Sequence, residues 1–130
     1  MIVDLQILDL AVVVINMSTR AQIIIKNEVE ELWFYRHSDG YPSVTLQSLN
    51  RFLKWVKEGK LRDNPSQSAG WLILLGAQER KTKKEPTLGI CGWEVGAYEP
   101  CVPNSCGGIV WEYIIDLDKK EITYRNLLES

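Results

Sequence analysis

Residues 31–42 hold the sequence feature that most restricts the fold, an aromatic run that ends in a turn. Residues 31–37 read Glu-Leu-Trp-Phe-Tyr-Arg-His, and aromatic side chains are typical of a pleated, half-buried strand. Asp39-Gly40, followed by Pro42, favours a sharp turn. Alternate side chains of a strand share a face, so Tyr35 and His37 point one way and Arg36 points the other. The sequence therefore predicts a strand that enters a turn close to a histidine.

After this turn the apolar residues change period. Leu49, Phe52, Leu53 and Val56 recur at helical spacing, which predicts a helix capped by Ser43 or Thr45 and ending before Gly59. A second helix is predicted from Asn64-Pro65-Ser66-Gln67, with Asn64 as its cap, to about Ala77. Residues 71–75 are apolar on nearly every side, so a buried strand is the alternative for that segment.

Strand patterns precede and follow the two helices. Residues 22–26 include three consecutive isoleucines, which are β-branched, and across the loop 27–30 they form a predicted hairpin with residues 31–37. Residues 88–98 and 109–117 alternate as strands do, and 109–117 continues through a turn into a last strand over 121–125. This order predicts an α+β fold, a mainly antiparallel sheet of about five strands with two helices packed on one face.

Length and the N-terminal sequence predict the domain organisation. A chain of 130 residues, 45% of them apolar, is typical of one domain with its own core. Residues 1–16 are apolar and precede a second methionine, Met17, so we expect an extension over 1–16 and a single domain over 17–130. The extension contains two aspartates and no basic residue, which disfavours a secretory leader, and it is too short to span a bilayer.

Charge and cysteine content limit the partners and the compartment. The formal net charge is −2, which gives no general attraction for a polyanion and argues against bulk nucleic-acid binding. We also expect no membrane association. Three cysteines cannot all pair within one chain, so the count favours free thiols in a reducing cytoplasm. Zinc bound by Cys91, Cys101, Cys106 and His37 is a weakly supported alternative, because two close-spaced ligand pairs are lacking. No cofactor is predicted.

The turn also carries the candidate site. His37 is the only histidine, and Asp39, two residues later, has the chemistry to orient its ring and raise its basicity. Arg20 stands at the entry of the preceding strand, so an antiparallel hairpin is expected to bring it near His37 and Asp39. The structural alternative is that Asp39 and Gly40 simply form the turn and His37 caps it.

Two motifs of the sequence resemble a known group of proteins. Ser18-Thr19-Arg20-Ala21-Gln22-Ile23 and Tyr35-Arg36-His37-Ser38-Asp39-Gly40-Tyr41-Pro42 are similar to a family of small phage and prophage-associated proteins with a Ser-Thr-Arg strand and a His-x-Asp-Gly-Tyr-Pro turn. The resemblance covers about a quarter of the chain. It implies that Glu112-Tyr113 matches an acidic-Tyr pair on a late strand, and it implies a phage or mobile-element accessory role. Ser38 departs from the pattern, which has an aromatic residue there.

These observations predict a binding protein that sequesters or inhibits a host factor, either a host protein or a small nucleotide-like ligand. The alternatives are a small enzyme with His37 and Asp39 as a general-base pair and a structural homo-oligomer whose five tryptophans mark subunit contacts. Catalysis is not favoured, because the His-Asp pair supplies no obvious nucleophile unless a cysteine comes close to it. The predicted binding residues are Arg20, Tyr35, Arg36, His37, Asp39, Tyr41, Glu112 and Tyr113.

Overall fold

The computed structural model describes residues 19–81 and 96–128, apart from the side chains of residues 80 and 81. Within these ranges the chain forms five strands and two helices. In chain order they are β1 (Arg20–Lys26), β2 (Glu31–Arg36), α1 (Pro42–Lys57), α2 (Pro65–Lys81), β3 (Glu99–Cys101), β4 (Ile109–Asp116) and β5 (Glu121–Asn126).

The strands form one sheet in the order β3-β2-β1-β4-β5. The neighbours pair antiparallel except β1 and β4, which run parallel. The predicted α+β class, with a mostly antiparallel sheet and two helices, is confirmed. β1, at the centre, contributes Ala21, Ile23 and Ile25 to the core between the sheet and the helices. Both helices therefore cover one face of the sheet, and the core lies between the two layers.

The first predicted helix and its end before Gly59 are confirmed, but its predicted N-cap is wrong. Leu49, Phe52, Leu53 and Val56 are buried against the sheet as the apolar spacing requires. The N-cap is Tyr41, which makes no side-chain capping bond, and Pro42 occupies the first helical turn. Proline is preorganised there because its φ is already helical and its missing N–H would be unpaired anyway. α1 therefore starts before either predicted cap.

The second helix is confirmed from its predicted start, and the strand alternative for residues 71–75 is wrong. The Gln67 N–H donates to Asn64 Oδ1 at 3.3 Å, which satisfies one N–H of the first turn. Leu72 and Leu75 are buried whereas Trp71 and Leu74 are each 44% exposed, a helical pattern rather than an alternating one. The helix ends at Lys81 instead of near Ala77, so it includes the first two residues of the basic run at 80–84.

The structure describes only residues 96–98 of the strand predicted over residues 88–98. Residues 82–95, including Cys91, lie outside the described residues, and residues 96–98 are not a strand. The Ala97 N–H donates to the Gly76 carbonyl of α2 at 3.2 Å, so this part of the chain packs on the helix instead of entering the sheet. The edge strand β3 follows in the segment between the two predicted strands.

The late hairpin is confirmed. β4 and β5 pair from Trp111 opposite Asn126 to Asp116 opposite Glu121, and Tyr113, Ile115 and Leu117 are buried on the helix side. In the described ranges, neither helix is long and apolar enough to cross a membrane.

The turn after β2 packs directly against β1 at Gly40. The Gly40 N–H donates to the Thr19 carbonyl at 3.0 Å. A Cβ at position 40 would lie 2.8 Å from both the Thr19 carbonyl oxygen and the Ala21 Cβ. Real Cβ atoms do not approach that closely, and backbone atoms of a central strand cannot move aside cheaply. The absence of a side chain is what lets the turn and the strand meet.

We expect Gly40→Ala to lower the free energy of unfolding by about 2 kcal/mol or more, because the added methyl forces the turn off β1. The matched control is Gly70→Ala in α2, where an added Cβ meets nothing within 4 Å and the gain in helix propensity should stabilise by about 0.5–1 kcal/mol. Urea unfolding followed by tryptophan fluorescence measures both. Equal effects of the two substitutions would contradict the close approach at Gly40.

Candidate functional site

Three hydrogen bonds fix the turn that was predicted to carry the site. Besides the bond from Gly40 to Thr19, the Tyr113 hydroxyl of β4 donates to the Gly40 carbonyl at 2.6 Å in a buried position. The Thr45 hydroxyl of α1 donates to the Asp39 carbonyl at 2.9 Å. Asp39 itself has a φ of +55°, a conformation that aspartate tolerates better than most residues. The turn is thus held by β1, β4 and α1 together.

The alternation of β2 separates the predicted residues onto two faces. On the face away from the helices, the Tyr35 hydroxyl and His37 Nδ1 lie 2.7 Å apart in a hydrogen bond. His37 is half-buried. Arg36 lies between them in sequence and points to the helix side. The imidazole of His37 is therefore hydrogen-bonded to Tyr35 through Nδ1. Both side chains lie on the opposite side of the sheet from Arg36.

Arg36 is a charged side chain held in the protein interior, only 5% exposed. Its Nε donates to the Ser38 carbonyl at 3.0 Å, and its Nη1 makes a long ion pair of 3.4 Å with Glu79 of α2. The guanidinium carbon lies 5.1 Å from the centre of the Tyr98 ring, a cation–π distance. A buried arginine needs such partners, because desolvation of its charge is costly.

The aromatic ring of Tyr98 lies directly beneath the guanidinium of Arg36. Its hydroxyl forms a hydrogen bond with the Ser48 hydroxyl of α1. Burial raises the pKa of Tyr98 to about 12, against the opposing effect of the nearby Arg36 charge. The phenol is therefore neutral at physiological pH. It acts as a fixed dipole and ring surface under the arginine and carries no charge of its own.

Arg36 and Asp39 both line a cleft of about 460 Å³ between α1, α2 and the end of β2. Two arginines and two carboxylates border it, with two glutamine amides and a serine hydroxyl. The lining residues are Arg36, Asp39, Val44, Gln47, Ser48, Arg51, Leu75, Gln78, Glu79 and Ala97. A concave site with a few convergent polar groups is the usual form of a small-molecule site.

Sequence reasoning missed the helical half of this cleft. Val44, Gln47, Ser48 and Arg51 fall at positions i, i+3, i+4 and i+7, so they form a stripe beside the apolar stripe of α1. That pattern could have pointed to a polar wall. The contribution of α2, through Gln78 and Glu79, has no comparable signal, because it depends on how the two helices pack.

The other predicted site residues have separate partners. Arg20 is exposed, its Nη1 donates to the Gly107 carbonyl at 3.4 Å, and its side chain lies against Gly108. Tyr41 is half-buried, and its carbonyl accepts the N–H groups of Val44 and Thr45 at the start of α1. The structure brings Arg36 and Asp39 together at the cleft and directs the side chain of Arg20 toward the loop before β4.

Glu112 and Tyr113 point to opposite faces of β4. Glu112 is buried. It accepts hydrogen bonds from the Gln22 amide and, at 3.0 Å, from Arg125 Nε. These partners satisfy a carboxylate on the face away from the helices, whereas Tyr113 anchors the turn on the helix side. Glu112 thus has cross-strand partners on both neighbouring strands, which is a structural role.

Among the residues described, Cys101 is not an activated thiol. Cys101 and Cys106 are free, Cys91 lies outside the described ranges, and no group of metal-ligating side chains is found within residues 19–81 and 96–128. Burial, with a smaller contribution from the neighbouring Cys106, raises the pKa of Cys101 to about 12. A thiol is nucleophilic only as the thiolate, so Cys101 is unsuited to nucleophilic catalysis at neutral pH.

Comparison of the chain with models of known protein families, with curated proteins and with solved structures found no match. The resemblance to phage-associated proteins therefore stays a prediction from the sequence motifs.

We expect Tyr113→Phe to lower the free energy of unfolding by about 1–2 kcal/mol, because it leaves the buried Gly40 carbonyl without its donor. Tyr124→Phe is the matched control, since Tyr124 stacks on Tyr113 but is itself 49% exposed. Chemical denaturation of the two variants measures the difference. Equal stability of Tyr113→Phe and the parent protein would show that the hydroxyl does not hold the turn.

Cys101 should react slowly with iodoacetamide. In a Cys91→Ser/Cys106→Ser variant, where Cys101 is the only thiol, we expect alkylation at pH 8.5 at least about tenfold slower than that of glutathione, because burial keeps the thiol protonated. Mass spectrometry against time gives the rate, and urea-unfolded protein is the control for intrinsic reactivity. A rate at or above that of glutathione would restore cysteine catalysis as a candidate.

Proposed function

We propose that this chain is a small binding module that holds a ligand bearing a carboxylate or phosphate in the cleft between α1, α2 and the end of β2. The observation that carries the proposal is the buried guanidinium of Arg36 on the cleft wall. The geometry supports this cleft better than the originally predicted Arg20/His37/Asp39 site, because only Asp39 of those three residues lines it.

Arg36 has donor capacity beyond its internal contacts. A guanidinium carries five N–H donors. Hydrogen bonds to Ser38 and Glu79 occupy one donor each on Nε and Nη1. The ion pair to Glu79, at 3.4 Å, is longer than a usual charge-assisted hydrogen bond. Arginine in a desolvated site binds carboxylate and phosphate in a planar, two-bond geometry.

Arg51 supplies a second cation at the outer wall of the same cleft. It is exposed on α1, one helical turn from Gln47, so it can contact the solvent side of an anion whose inner side meets Arg36. Gln47 and Gln78 add amide donors and acceptors, and Asp39 adds an acceptor for a hydroxyl or amine of the ligand. The mixture of charges favours a small polar metabolite with an anionic group over a bare polyanion.

A binding role also fits the accessory function that the sequence motifs imply. A protein that sequesters a host metabolite or nucleotide-like compound requires affinity and no transition-state chemistry. We assign only the anionic group of the ligand. The rest of the ligand is to be identified from the complex that the protein forms in its host.

Titration of ¹⁵N-labelled protein with inorganic phosphate, succinate and adenosine monophosphate tests the proposal. We expect at least one of them to shift the amide signals of α1 and α2 that border the cleft. Arg51→Ala should weaken that binding about tenfold, which corresponds to the loss of one charged hydrogen bond of about 1.4 kcal/mol. Arg36→Lys should weaken it further, since lysine cannot give two parallel bonds.

Arg62→Ala is the matched control, because Arg62 is an exposed arginine after α1 that does not line the cleft. It should bind as the parent protein does. The proposal would be overturned if none of the three probes shifted these amide signals. It would also be overturned if neither cleft substitution weakened binding.

A further inference from the structure

We propose that the free edge of β5 pairs with β5 of a second copy of this chain, which makes a twofold symmetric dimer with one continuous sheet. Among residues 19–81 and 96–128, no strand lies beyond β5. Thr123, Tyr124 and Arg125 are exposed. An unpaired edge presents backbone N–H and C=O groups that can pair with another strand. Pairing with a second copy requires that the backbone groups and the charges of β5 complement those of the same strand in reverse direction.

The backbone of β5 is arranged for such pairing at alternate residues. The Leu127 N–H donates to the Val110 carbonyl at 2.7 Å. Hydrogen-bonded and non-hydrogen-bonded pairs alternate in an antiparallel ladder, so Glu121, Thr123 and Arg125 direct their backbone groups to β4. Ile122 and Tyr124 direct theirs to the open edge. A partner strand can therefore bond to the backbone at positions 122 and 124.

One register satisfies this geometry and matches the charges. If Thr123 lies opposite Thr123 of the second copy, Ile122 faces Tyr124 as a hydrogen-bonded pair and Glu121 faces Arg125. Opposite charges in directly opposed positions stabilise a strand pair. A shift of two residues in either direction moves the glutamate opposite a threonine or a leucine and loses both ion pairs. Charged residues usually protect an edge by repulsion, whereas in this register they attract.

The side chains on the helix side add an apolar contact. Tyr124 is 49% exposed, with its ring next to those of Trp111 and Tyr113 at centroid distances of 6.1 and 5.9 Å. Ile122 packs partly against the core. In the proposed register each exposed Tyr124 covers Ile122 of the other copy, so the dimer removes an aromatic surface from water. The interface is small, which is typical of a weak association that depends on protein concentration.

Substitutions at the twofold axis test this pairing directly. Thr123→Lys places two ammonium groups opposite each other and Thr123→Glu places two carboxylates, so each protein alone should be monomeric in sedimentation velocity at about 200 μM. An equimolar mixture should dimerise, because lysine then faces glutamate. The parent protein should dimerise at the same concentration.

Asn50→Lys is the control for added charge, since Asn50 is exposed on α1 and is not part of the strand that pairs, and it should dimerise like the parent. A parent protein that is monomeric at about 200 μM would overturn the proposal. It would also be overturned if Thr123→Lys or Thr123→Glu alone dimerised, or if their mixture stayed monomeric. None of these measurements depends on a ligand, so they are independent of the proposed cleft.

Discussion

The close contact between Gly40 and β1 is the constraint on which most of the structure depends. Because position 40 has no side chain, the turn lies against the Thr19 carbonyl and the Ala21 Cβ. The Tyr113 hydroxyl then reaches the Gly40 carbonyl from β4. Two residues later Pro42 starts α1. The position of the first helix over the sheet is therefore set by a contact between two pieces of backbone, before any side-chain packing is considered.

That placement of α1 explains how a charged residue comes to line the cleft. Arg36 is the last residue of β2 and points to the helix side, where α1 and α2 close over it. Its charge is tolerated because Glu79, the Ser38 carbonyl and the Tyr98 ring surround it. An apolar residue of similar length would fill this space with less desolvation cost. This desolvation cost is the reason why we propose that Arg36 is kept to bind an anion and not to stabilise the fold.

Local patterns predicted the elements well, whereas the helical half of the cleft depends on contacts between distant elements. The periods of α1, β4 and β5 follow from short-range geometry and appear in the sequence directly. The parallel neighbour of β1 and the packing of residues 96–98 on α2 depend on which elements meet, which no local period encodes. For the candidate site, alternation had already placed His37 and Arg36 on opposite faces. Arg36 and Asp39 line one cleft, whereas Arg20 contacts the loop before β4 and His37 contacts Tyr35 on the opposite face of the sheet.

The proposed dimer has a geometric consequence for the cleft. Opposed side chains of an antiparallel pair lie on the same face of the sheet, so a twofold axis through Thr123 runs perpendicular to the sheet and both helix layers lie on the same side. β5 is separated from β2 by β4 and β1, which leaves each cleft clear of the interface. The two clefts would then open on one side of a ten-stranded sheet. A partner that displayed two anionic groups could engage both at once, and its affinity would exceed that of a single group because the second contact is intramolecular.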